Sequence, residues 1–167
     1  GQARGIIGAL PPSVCTVGVF VNLPAMEVLH VAEVCGLDFI QLHGAESREY
    51  CRRFPRERLI KALSFRSEGE FAVTADYPVR AFLVDAHDPV RFGGTGKTCD
   101  WNLARRAAER CPLVLAGGLR AKNVAAALEA VRLDDDVHGA RDLLPHRLNG
   151  HLEPAHHDHG FQPAQAL

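Results

Sequence analysis

The sequence predicts an α/β fold of parallel strands alternating with helices, and three observations carry that expectation. Short, uniformly apolar runs recur at Val17 to Val21, Phe39 to Leu42, Leu59 to Leu63, Phe82 to Val84 and Leu113 to Ala116. Their starts lie 22, 20, 23 and 31 residues apart, so each gap can hold one helix. Between several of them stand segments with apolar residues at helical spacing. A half-exposed strand would alternate apolar and polar residues, whereas a parallel strand hidden by crossover helices reads as one continuous apolar run.

Taken in order, Arg4 to Leu10, closed by Pro11 and Pro12, reads as the end of a helix. The first strand follows at Val17. Beyond Asn22, Pro24 suits a first helical position, Val28, Leu29, Ala32 and Cys35 form an apolar stripe, and Gly36 supplies the stop. Lys61 is unusual inside the third apolar run and could point into a barrel interior near a ligand. Asp100 can cap a helix whose apolar face is Leu103, Ala104, Ala107 and Ala108. Val124, Ala127, Leu128 and Val131 follow the i, i+3, i+4, i+7 pattern of a last helix. Consecutive strand–helix units over residues 13 to 131 fit either a slice of a (β/α)8 barrel or a doubly wound open sheet. Length favours the open sheet, because a complete barrel typically needs about 250 residues, or at least about 200.

With 47% hydrophobic and 23% charged residues, the 167-residue chain can build one soluble domain with a substantial core. A formal net charge of -1 gives no concentrated basic face for nucleic acid or an anionic membrane, so a small molecule is the expected partner. The 5 cysteines are odd in number and scattered, without a CxxC pair, and read as reduced, mostly buried thiols of an intracellular protein. No apolar run approaches the roughly 20 residues of a membrane span, and no charged-then-apolar leader opens the sequence. A cytoplasmic location is the resulting expectation.

In parallel α/β folds, ligands meet the carboxyl ends of the strands. Those positions here are Asn22, His43 and Gly44, Ser64, Asp85, and Gly117 with Gly118, all expected on one rim. The stretch Arg91 to Trp101 adds Gly93, Gly94 and Gly96 between a strand and a helix, where backbone N–H groups can face an anion. It is neither a Walker A loop, since position 91 is Arg, nor a GxGxxG fingerprint. Asp85 follows three large apolar residues, so its carboxylate either caps a loop or points into a site. A strand-end histidine such as His43 is more often a satisfied structural group than a catalyst.

In this order, VGVFVN (17–22), IQLHGAE (40–46), IKAL (60–63), FLVDA (82–86), GGTGKTCDW (93–101) and LAGGLRAKNV (115–124) resemble the phosphoribosylanthranilate isomerase family. The resemblance runs from about Gln2 to Val131. It implies a (β/α)8 TIM barrel of tryptophan biosynthesis that carries out an Amadori rearrangement of N-(5-phosphoribosyl)anthranilate to the 1-deoxyribulose 5-phosphate product. An acid protonates the ribose ring oxygen and a base removes the C2 proton, with no cofactor and no metal. By motif position Asp85 matches the general acid. His43, Gly93, Gly94, Gly96, Gly117 and Gly118 match substrate-binding positions, the glycines at the phosphate end.

Departures accompany the match. The family's KICG-like strand, whose cysteine is the general base, has no counterpart here, nor does the arginine-bearing loop after its second strand. Where the family expects GVD-x-SSGVE, this sequence reads LDDDVHGARD (133–142). The resemblance therefore implies an N-terminally truncated member with an aberrant C-terminus. Residues 1–132 are expected to form an incomplete TIM barrel, its first strands missing and its last unit degraded. Residues 133–167 form a His/Pro-rich tail holding six of the nine histidines, expected to pack poorly. A non-homologous tail is favoured over a metal-binding one, although HLEPAHHDH (151–159) raises the latter. As it stands, the chain is expected not to turn over at a family-like rate. The alternative is a non-catalytic sugar-phosphate-binding α/β domain, and the oligomeric state is left open.

Overall fold

The computed structural model describes residues 1–64, 67, 74, 76–85, 98–109 and 112–131. Five strands, β1 (Val17–Phe20), β2 (Phe39–Leu42), β3 (Leu59–Leu63), β4 (Ala81–Val84) and β5 (Leu113–Leu115), form one sheet. Every pairing is parallel and the spatial order is the chain order, β1-β2-β3-β4-β5. A doubly wound sheet reverses its strand order at a switch point, whereas a (β/α) barrel adds each strand beside the last. The sequential order thus overturns the open sheet that chain length favoured. All five apolar runs are strands, with every bound within one residue of that expected: β4 starts one residue early at Ala81, and Val21 and Ala116 fall just outside β1 and β5.

Helices α1 (Gln2–Gly8), α2 (Ala25–Cys35), α3 (Arg48–Cys51), α4 (Trp101–Ala108) and α5 (Val124–Val131) accompany the sheet. Pro24 is the N-cap of α2 and not its first residue. Gly36 ends that helix in the left-handed conformation (φ 67°), as its sequence position suggested. Asp100 caps α4 by accepting the N–H groups of Asn102 and Leu103. In α5 only half of the expected stripe is inside: Ala127 and Val131 are buried, while Val124 and Leu128 remain exposed.

The register shows which face the helices cover. One row of neighbours crosses the sheet from Phe20 through Leu42, Lys61 and Phe82 to Leu113, and all five side chains are buried. Its apolar members divide between two core clusters. Phe20, Leu42 and Phe82 pack with Val28 and Ala32 of α2 and Cys51 of α3, and Leu113 packs with Ala104 and Ala107 of α4 and Val131 of α5. The helices therefore lie on one face, as on the outside of a barrel. Because side chains alternate along a strand, Val19, Gln41, Ala62, Leu83 and Val114 occupy the opposite, concave face. At the edge of that face Val17 and Val19 are 43% and 59% exposed. Lys61 belongs to the helix-covered row, so the expectation that it points into the barrel interior is corrected.

Candidate functional site

The carboxyl ends of all five strands lie at one end of the sheet, since every pairing is parallel. Asn22, His43, Ser64, Asp85 and Gly117 consequently share a rim. His43 and Asp85 are the first residues after β2 and β4 on the concave side, and their backbone N–H groups extend the ladder by donating to Phe20 O and Leu63 O. Across the small Ala62 of β3, His43 Nε2 comes within 3.5 Å of Asp85 Oδ2, and both side chains are about five-sixths covered (15% and 16% exposed). Asp85 thus faces His43 at the carboxyl end of the sheet.

The imidazole is oriented from behind. Gln41, two residues earlier on the same face, places its amide Nε2 2.7 Å from His43 Nδ1. The roles across this contact follow the tautomer: with the Gln41 amide NH2 donating, Nδ1 accepts and the ring proton is on Nε2, the nitrogen directed at Asp85. Cys99 approaches the same rim just ahead of α4. Burial pushes its thiol up, and the nearby charges of Asp85 and Asp100 add to the shift. Cys99 also packs against the apolar cluster of Val84, Ala104 and Leu113, as the small hydrophobe its sequence context suggests, whereas Gln41 carries no expectation of its own from sequence. The alternation of Gln41 with Ile40 and Leu42 was the available signal for the latter.

After β5 the chain turns through Gly117 and Gly118, both left-handed at φ 83° and 60°, a conformation that glycine adopts at little cost. Asn123 pins this loop: its Oδ1 accepts the Arg120 N–H at 2.6 Å and its Nδ2 donates to Gly118 O at 3.1 Å. The three other expected glycines, Gly93, Gly94 and Gly96, lie outside the described residues, as does the whole of 132–167 with its histidines.

Beside the rim a polar cluster joins β1, β2 and β3. Asn22 sits at φ 52°, in the left-handed region that asparagine tolerates better than most residues, and its Oδ1 accepts the Ala45 N–H at 2.8 Å. The Glu46 carboxylate accepts the N–H groups of Asn22 (2.8 Å) and Gly44 (2.9 Å) and pairs with Lys61 Nζ at 3.1 Å. Burial alone would raise the Glu46 carboxyl. The Asn22 N–H, the N–H of Glu46 itself and the Lys61 ammonium outweigh that effect and hold it below its ordinary 4.5.

With this geometry established, comparison with known proteins is informative. Residues 2–139 match the family model described as N-(5'-phosphoribosyl)anthranilate (PRA) isomerase. Relatives named N-(5'-phosphoribosyl)anthranilate isomerase include one from Syntrophus aciditrophicus, 49% identical over 130 residues, covering 78% of this chain and 56% of the relative. Another, from Pelobacter propionicus, is 47% identical over 130 residues, with 78% and 62% covered. Among solved structures, phosphoribosyl anthranilate isomerase from Thermotoga maritima superposes with a TM-score of 0.67 at 39% identity, over 78% of this chain and 64% of that one. A phosphoribosyl anthranilate isomerase in complex with reduced 1-(o-carboxyphenylamino)-1-deoxyribulose 5-phosphate gives 0.64 at 36% identity, over 78% and 62%. The chain spans about 56–62% of the length of the two relatives. A family match across most of the sequence, and a strand order like that of a barrel wall, lead to one conclusion: the chain belongs to the N-(5'-phosphoribosyl)anthranilate isomerase family.

Proposed function

We propose that this chain carries the acid and phosphate sides of an N-(5'-phosphoribosyl)anthranilate isomerase site, acting in tryptophan biosynthesis in the cytoplasm. The observation that supports it most directly is the approach of His43 Nε2 to Asp85 Oδ2 at 3.5 Å, on the concave face at the carboxyl end of the strands. In this reading Asp85 delivers a proton to the ribose ring oxygen as the ring C–O bond opens. Removal of the C2 proton then converts the aminoaldose into the aminoketose, with no cofactor. His43, its Nε2–H turned toward Asp85, orients that carboxyl and the substrate oxygen beside it. The left-handed Gly117-Gly118 turn, together with Gly93, Gly94 and Gly96, receives the phosphate through backbone N–H groups. Abstraction of the C2 proton, in the family the task of a cysteine in a KICG-like strand, is not assigned to a residue of this chain.

The test has two stages. Calorimetric titration with reduced 1-(o-carboxyphenylamino)-1-deoxyribulose 5-phosphate should show binding that inorganic phosphate competes away. Fusing the preceding segment of the Syntrophus aciditrophicus relative ahead of Gly1, and replacing residues 132–167 with that relative's own C-terminal segment to restore the SSGVE-type loop, should then give turnover. In that fusion Asp85→Asn should lower kcat by about 10²–10⁴-fold, the usual cost of losing a general acid, while the analogue still binds. Binding without any turnover in the fusion would favour a non-catalytic sugar-phosphate-binding domain; no binding at all would sink both readings.

A further inference from the structure

Behind the His43–Asp85 pair, on the helix-covered side of the sheet, lies a charged pair that the proposed chemistry does not use. Lys61 and Glu46 are 1% and 6% exposed. Removing two ions from water is costly, and an apolar side chain in the row of Phe20, Leu42, Phe82 and Leu113 would avoid that cost. An apolar side chain could not, however, hold the backbone. Lys61 Nζ donates to Leu42 O (3.3 Å) and Gly44 O (2.8 Å), the carbonyls on either side of His43, and to Ala62 O (2.9 Å). Glu46 takes the N–H groups of Gly44 and Asn22, and Asn22 Oδ1 takes that of Ala45. From Leu42 to Ala45, the peptide groups around His43 are tied to this cluster. The imidazole has two rotatable bonds, and with Nδ1 engaged by Gln41 its place follows from its backbone.

We propose that the Glu46–Lys61 pair is the positioning device of the rim: from the far face of the sheet it fixes the 42–45 backbone, and thereby sets the distance and tautomer of His43 toward Asp85. The inference rests on the reading of His43 and Asp85 as site residues. Neither Glu46 nor Lys61 touches the substrate in this role.

Histidine 15N spectra of the 167-residue chain test it, with the His43 signal identified by its loss in His43→Asn. The unaltered chain should show His43 as a single Nε2–H tautomer. In the double variant Glu46→Met, Lys61→Met, which removes both buried charges together, that signature should average toward mixed tautomers. Affinity for the reduced carboxyphenylamino-deoxyribulose phosphate should weaken roughly tenfold, the scale of one lost hydrogen bond. The amide resonances of β4 and β5 should stay in place. A purely structural pair would leave the tautomer and the affinity unchanged in a folded double variant, and that result overturns the proposal. Should the double variant not fold, the isosteric Glu46→Gln decides in the same way. The spectrum of the unaltered chain is a test in itself, since mixed tautomers there would refute the idea. If the analogue fails to bind the unaltered chain while the tautomer responds as expected, the isomerase reading falls and the positioning role stands.

Discussion

Gly44 is a glycine for want of room, not for backbone freedom. A Cβ at this position would run into the Asn22 side-chain amide and come within 2.8 Å of Glu46 Oε1, and both groups are held by hydrogen bonds. Neither can move aside without breaking a bond to the 44–46 backbone or to Asn22. Gly44→Ala is therefore expected to destabilise the fold by about 1–3 kcal/mol, the usual cost of overpacking, read from the midpoint of urea unfolding. The sequence exposed some of this scale and hid the rest. His43 and Asp85 were legible because each directly follows an apolar run, and in a parallel sheet that position is the ligand-facing end. The role of Lys61 was not, because a run apolar at every other position does not reveal which face its one polar member takes. Its partner Glu46 stands 15 residues earlier on the loop after another strand, a pairing that local periodicity cannot express.

The helices were more legible at their ends than along their faces. Asp100 and Gly36 behave as their chemistry dictates, one accepting two otherwise unbonded N–H groups and the other adopting φ 67°. Replacing Asp100 by Ala should cost about 1 kcal/mol, seen as a lower thermal midpoint, and Asp100→Ser should recover most of it. The face of α5 was read too generously. Spacing alone admitted Val124 and Leu128, but the helix meets the core through Ala127 and Val131, and packing against α4 and β5 leaves the other two exposed. Periodicity alone left the fold class open for a related reason: strand and helix periods are the same in an open sheet and a barrel. The motif resemblance implied the barrel, and the lateral order β1-β2-β3-β4-β5, a property of the assembled sheet, agrees with it.

For the molecule as a whole, the buried Glu46 carboxyl links stability to pH. Its value in the fold lies below the ordinary 4.5, so the unfolded chain binds the proton more readily than the folded one. The contribution is complete above pH 4.5 and is lost as the pH falls through the lower folded value. Thermal midpoints measured from pH 6 downward should fall more steeply below about 4.5 in the unaltered protein than in Glu46→Gln, and parallel curves would contradict the assignment. The sequential strand order has a consequence of another kind, for how the chain reaches this structure. Among the described residues each strand pairs only with its neighbours in the chain, Val17 with Phe39, Ile40 with Leu59, Ile60 with Ala81 and Phe82 with Leu113. No loop longer than about thirty residues closes when any one pairing forms, so the entropy of closure is modest at each step and the sheet can grow one unit at a time. Native-state hydrogen exchange should accordingly report graded protection, greatest at β2, β3 and β4 and least at β1, with the molecule opening strand by strand from its edge instead of all at once.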